Sequence, residues 1–120
     1  MKTIINSKNA PAPIGPYSQA VLAGSTLFAS GQIAINPATG ELEMSSIEIE
    51  TEQVMQNIKA VLEEADMTFE NIVKCSIFLS SMDSFSRVNE VYGKYFPTNP
   101  PARETVEVSC LPKSVNVEIS

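Results

Sequence analysis

Arg103 opens the segment "RETVEVSC", and Glu118 lies near the C-terminus in "VNVEIS"; both segments alternate polar with apolar residues. A guanidinium is a planar, permanently charged fork that can grip a carboxylate through two parallel hydrogen bonds. A glutamate can accept a hydrogen bond from water and orient it for attack. The two together could hold a small carboxylate and present water to an electrophilic atom beside it. The plainer alternative is a surface ion pair, worth at most about 1 kcal/mol. Pro100 and Pro101 fix the backbone just ahead of Arg103, so the loop delivers that side chain with little freedom left to lose.

The inventory narrows the chemistry. Histidine is absent, which removes Ser-His-Asp and Cys-His catalysis and His-ligated metal sites. Cys75 and Cys110 fall in strand-like runs and read as buried, inert thiols. Tyr17 is a candidate pocket wall or lid, or simply a ring packing a loop onto a strand. At Ser30-Gly31 a glycine permits close backbone approach; a β-bulge is the plain alternative. Asn89 lies between apolar helix positions and reads as a ligand contact or a helix–sheet hydrogen bond. Glu63, Glu64 and Asp66 read as a solvated helix end, and Met55, Met67 and Met82 as gap-fillers.

These residues need a scaffold. A chain of 120 residues with 43% hydrophobic content is expected to form one domain over 1–120. Net charge is −6, and the eight basic residues are scattered, which argues against nucleic acid as a partner. The N-terminus has no signal-peptide pattern and no segment is apolar enough to span a membrane, so a cytoplasmic location is expected.

The spacing predicts the elements. "NAPAPIGPYS" reads as an extended loop. "STLFASGQIAI" reads as a strand broken at Gly31, and "NPATGE" as a turn, giving a hairpin from Leu27 to about Met44. Ser45 with Glu48 three residues on reads as a capping box. Val54, Ile58, Val61, Leu62 and Ala65 then give the apolar stripe of a helix of about five turns. "NIVKCSIFLSSM" reads as a buried strand. Asp83 reads as the cap of a second helix with the stripe Phe85, Val88, Tyr92 and Phe96, stopped by Pro97. Two final strands, Arg103–Cys110 and Val115–Ser120, are expected to pair with each other. Val106, Val108 and Cys110 should lie under the helices, leaving Arg103, Thr105, Glu107, Asn116 and Glu118 on the polar face. The class is α+β, a mixed sheet with two helices on one face.

Taken in order, "NAPAPIGPYSQAV", "SGQIAINPATGEL", "NIKAVLEEA", "NIVKCSIFL", "FSRVNEVYGKYF" and "PPARETVEVSCLPKSVNVEI" resemble the successive signatures of the Rid/YjgF reactive-intermediate deaminase family. The resemblance spans nearly the whole chain, and the combination of "IGPYSQ", "SGQI" and "PAR…VEV…LPK" is what makes it specific. It implies a chorismate-mutase-like fold assembled as a homotrimer with clefts between subunits. It implies hydrolysis of 2-enamines and 2-imines, such as 2-aminoacrylate and 2-iminobutanoate, to 2-keto acids and ammonia without a cofactor or metal. Carried over, Arg103 binds the substrate carboxylate and Glu118 positions water. Tyr17, Ser30, Gly31, Asn89 and the backbone at Thr105 complete the cleft.

Two departures stand out. Thr105 takes a place where many members have Cys, and Glu104 is expected to add negative charge near Arg103. The family's last strand usually runs further than Ser120, which would weaken strand and trimer here. Two rival functions share the cleft: a binding module for keto acids or amino acids, and an endoribonuclease or translation inhibitor, which the acidic composition disfavours.

Overall fold

A computed structural model describes residues 1–120. Two three-stranded sheets and two helices make the α+β architecture. The first sheet is an antiparallel meander of β1 (Lys2–Ile5), β2 (Ala20–Ala23) and β3 (Thr26–Ala29). The second, in the order β5-β4-β6, holds β4 (Lys74–Leu79) at its centre. On one side β4 pairs in parallel with β5 (Ala102–Glu107), and on the other it pairs antiparallel with β6 (Val117–Ile119). Just past β3, the chain reaches the second sheet at an isolated antiparallel bridge, Gln32 to Ile119.

Helix α1 spans Ile47–Glu64. Ser46, not Ser45, caps it, accepting a hydrogen bond from the Ile49 amide at 3.1 Å. The expected capping box is therefore absent, because the residue three beyond the true cap is Ile49. The helix stops where Asp66 turns left-handed at φ 57°. There the Asp66 amide reaches the Glu63 carbonyl and the Met67 amide the Leu62 carbonyl, the paired closing bonds of a Schellman end. Val54, Met55 and Val61 are at most 1% exposed, and each contributes about 1.5–3 kcal/mol by leaving water. Met55 thus fills the core, as its gap-filling reading expects. Helix α2 spans Phe85–Gly93 and buries Val88, Val91 and Tyr92. Its N-cap is Ser84, preceded by a short 3₁₀ turn that Ser81 caps, so Asp83 caps nothing.

Both helices cover one face of the second sheet. Ile47, Val54 and Met55 of α1 and Val88 and Tyr92 of α2 pack with Cys75, Ile77, Leu79, Val117 and Ile119. The opposite face carries a smaller apolar cluster of Ile33, Ile35, Leu111 and Val115, flanked by Phe78 and Val108.

Four expectations are corrected here. The last two strands do not pair, because β4 lies between them. The phase of β5 is also reversed. Parallel register sets Arg103 opposite Cys75 and Thr105 opposite Ile77, and both partners face the helices, so Arg103 and Thr105 face them too. Val106 turns to the other face and is 41% exposed. Finally, Cys110 lies beyond the end of β5 and is exposed, while Cys75 is buried. The expected Leu27–Met44 hairpin survives only as the bridge between Ile35 and Leu42, since Thr26–Ala29 pairs backwards with β2.

Candidate active site

The register decides which candidate residues can meet. Arg103 is opposite Cys75 and Glu118 is opposite Phe78. Cys75 and Phe78 are three residues apart on one strand, so their side chains leave from opposite faces. Arg103 and Glu118 therefore stand on opposite sides of the same sheet. The expectation that they share a polar face is overturned.

The seven candidates fall into two groups. One group lies under α2. Phe85, Asn89 and Tyr92 recur at helical spacing and present one surface to β5. The Arg103 guanidinium lies 5.1 Å from the centre of the Tyr92 ring and 5.6 Å from that of Phe85, within the range of cation–π attraction. Its Nη1 donates to Asn89 Oδ1 at 2.7 Å. Asn89 thus makes the helix–sheet hydrogen bond that was its plainer reading. One nitrogen of the fork is committed there, and the remaining donors are free of protein partners. The hydroxyls of Tyr92 and Thr105 are buried without hydrogen-bond partners, and burial pushes the Tyr92 hydroxyl well above its ordinary pKa. Glu104 does not load this group with charge. It points to the other face, where it pairs with Lys74 at 3.2 Å and accepts from Ser76. Those two partners, Ser76 first, hold its carboxyl below the usual range.

The second group lines a cavity of about 330 Å³ on the face away from the helices, with Tyr17, Ser30, Gly31 and Glu118 in its wall beside Ile14, Ile33 and Pro112. Gly31 leaves the space in which the Glu118 carboxylate stands. A Cβ there would overlap Glu118 Oε1 and stand 2.9 Å from its carboxyl carbon. Ser30 is fastened to the loop before it: its hydroxyl donates to the Ser18 carbonyl at 2.7 Å and its amide to the Gln19 carbonyl at 2.9 Å. Tyr17 is 48% exposed and its hydroxyl accepts from the Ile14 amide at 3.2 Å, closing the Pro-rich loop on itself. Half-burial without a cationic neighbour pushes the Glu118 carboxyl above its ordinary value. No cluster of three or more cysteine and carboxylate side chains is arranged to hold a metal ion.

The raised Glu118 carboxyl has a consequence for stability. The folded chain holds that proton more tightly than the unfolded one does. Glu118 therefore favours the fold most below the ordinary carboxylate pKa, and that contribution is lost as pH rises through the raised folded value. Glu118→Gln is expected to raise the thermal midpoint near pH 7 and to leave it almost unchanged near pH 4. Melting curves of both chains across that range check this; an equal offset at every pH would contradict it.

Sequence reasoning missed Gln19, Phe85 and Tyr92. Gln19 is 2% exposed and fastens the Pro-rich loop: its side chain accepts from the Ser7 amide and donates to the carbonyls of Ser7, Ala10 and Pro11. A polar residue heading the apolar run "QAVLA" was the available signal. For Phe85 and Tyr92 it was their spacing around Asn89, which marks one helix face.

Residues 7–120 match the model of the family described as Endoribonuclease L-PSP. A RutC family protein of Pyrococcus horikoshii is 50% identical over 119 residues, covering 99% of this chain and 94% of that one. Reactive Intermediate Deaminase A, chloroplastic, of Arabidopsis thaliana is 40% identical over 98% of this chain and 63% of its own length. Among solved structures, a putative endoribonuclease of Thermotoga maritima superposes with TM-score 0.97 at 50% identity, covering 99% of this chain and 94% of that one. E. coli TdcF with bound serine superposes with TM-score 0.93 at 37% identity, covering 98% and 94%. The chain belongs to the Endoribonuclease L-PSP family, which is the Rid/YjgF family.

Proposed function

We propose that the chain is a cofactor-free deaminase that hydrolyses short 2-enamines and 2-imines to 2-keto acids and ammonia, in a homotrimer whose clefts lie between subunits. The observation that carries this reading is the division of the candidates into two half-sites on opposite faces of one sheet. A partly free guanidinium on one face and a half-buried carboxylate in a cavity on the other make sense together if each meets its complement on another copy. The open edge of β5 and the exposed Val106, Ile14 and Tyr17 support such an assembly.

The chemistry asks little of the protein. An enamine that gains a proton on carbon becomes the protonated imine, whose carbon is electrophilic without further activation. Arg103 holds the substrate carboxylate through the donors that Asn89 leaves free. Glu118, as carboxylate, takes a proton from water while the water oxygen bonds to the imine carbon. The resulting carbinolamine receives that proton on nitrogen from the Glu118 carboxyl. The C–N bond then breaks, ammonia leaves, and the hydroxyl proton is lost as the ketone forms. A carboxyl with a raised pKa suits a group that must both accept and return a proton.

The test is a coupled assay. A threonine dehydratase generates 2-iminobutanoate in situ, and 2-oxobutanoate and ammonia are followed with and without the chain. Faster release is expected. A second reading, a binding module for small amino or keto acids, draws on the bound serine of E. coli TdcF. Saturable binding of serine or 2-oxobutanoate with no faster release would select it.

A further inference from the structure

Three polar side chains of α1 are fully buried: Glu50, Thr51 and Asn57, each 0% exposed. Thr51 spends its hydroxyl on its own helix, donating to the Ile47 carbonyl at 2.7 Å. Glu50 and Asn57 do something else. They are seven residues apart, close to two full turns, so they project from the same side of the helix. Asn57 reaches the cavity wall at Ile33 and Ile35, and Glu50 reaches the backbone that leads to Glu118. The Asn57 amide donates to the carbonyls of Ile33 and Ile35, at 3.0 and 2.9 Å, just beyond Gly31. Glu50 Oε2 accepts from the main-chain amides of Asn116 and Val117, at 2.7 and 3.0 Å, and Oε1 accepts from the Asn116 side chain at 2.9 Å. No arginine or lysine pairs with Glu50.

A buried carboxylate without a cation is costly and persists only where hydrogen-bond donors converge on it. Here two of three donors are main-chain amides of the residues immediately before Glu118. From the other side Asn116 is held by Ser80, whose amide donates to its carbonyl at 3.0 Å and whose hydroxyl donates to its Oδ1 at 3.2 Å, so Glu50 supplies the acceptor for the amide side of this connection. Lys113 and Ser114 are both left-handed, at φ 55° and 56°, a conformation that non-glycine residues adopt at a cost. We propose that Glu50 is a positioning residue, which fixes the backbone at Asn116 and Val117 so that the Glu118 carboxylate stands over Gly31. The Gln32–Ile119 bridge ties this wall to the one that Asn57 holds. One helix thereby sets the separation between the glycine and the carboxylate. As far as turnover is concerned, the inference rests on Glu118 handling the water.

The test compares the unaltered chain with Glu50→Gln and Glu50→Asp. Glu50→Gln keeps length and removes one acceptor. Glu50→Asp keeps the charge and shortens the reach, so any change it produces reports position rather than electric field. Two quantities are read. The first is the Glu118 titration, followed by carbon NMR of its side-chain carboxyl, which needs no turnover. The second is kcat and KM for 2-iminobutanoate made in situ. The Glu118 titration is expected to move back towards an ordinary glutamate in both variants. Because small misplacements of reacting groups are expensive, kcat is expected to fall about tenfold or more, with KM within about twofold. A variant that melts earlier but keeps both the Glu118 titration and kcat per folded chain unchanged overturns the proposal. If Glu50→Gln does not fold, Glu50→Asp is judged by the same two readouts. If the unaltered chain turns over no imine, the deaminase reading fails, and the titration alone still decides the role of Glu50.

Discussion

Arg103→Ala is expected to abolish turnover while leaving the chain folded. Two charge-assisted hydrogen bonds to a carboxylate, at about 1.5–3 kcal/mol each, correspond to a loss of about 10²–10⁴-fold in binding. Arg103→Lys keeps the charge but not the fork, and is expected to fall between the two. Calorimetric titration with 2-oxobutanoate measures this directly. Equal binding by the unaltered chain and Arg103→Ala would move the carboxylate site elsewhere. The opposite-face arrangement adds a sharper outcome. Glu118→Gln chains are also expected to be inactive. Unfolded and refolded together in equal amounts, the two inactive chains should regain about one quarter of full activity. In a random mixture, about one cleft in four pairs an intact Arg103 from one copy with an intact Glu118 from the next. A mixture as dead as its components would mean that clefts do not form between copies.

Gly31→Ala is the second change expected to have a large effect. The added methyl would occupy the space of the Glu118 carboxylate. That carboxylate is the end of a flexible side chain, so it can swing aside, and the fold should survive with little loss of stability. Turnover should not survive as well. Displacing a general acid–base group forfeits its contribution, typically about 10²–10⁴-fold. The signature is a collapse of kcat with a near-normal melting curve. Full activity in Gly31→Ala would show that the space above residue 31 is not where water is delivered.

The helices were legible because their signals are local. The stripe through Val54, Val61 and Leu62 and that through Val88 and Tyr92 each follow one period, and the burial agrees. The family signatures carried the fold class, and the register then carried the site. What alternation could not reveal was the face of β5. Strand β4 turns Cys75, Ile77 and Leu79 towards the helices and Phe78, beside the polar Lys74 and Ser76, towards the smaller cluster. With an apolar cluster on each side of the sheet, Val106 and Val108 could pack on either, and the pairing with β4 chose the face away from the helices. Arg103 faces the helices because its charge is accommodated there by Asn89 and two aromatic rings. Strands β1 and β2 escaped notice because four residues each is too short for alternation to stand out. The Glu50 and Asn57 contacts join residues 66 and 24 positions apart, and no local pattern announces them.

The two thiols of the chain also differ in how they meet a reagent. Cys110 is open to solvent, whereas Cys75 sits near the start of the central strand, 4% exposed, and burial pushes its thiol up. The first is therefore reached by a reagent in the folded chain, and the second only when the core opens. In a mixture of reagent and native chain, the first equivalent consumed counts molecules and the second times their openings. The chain thus carries an internal clock for its own unfolding, with the reference channel built into the same polypeptide.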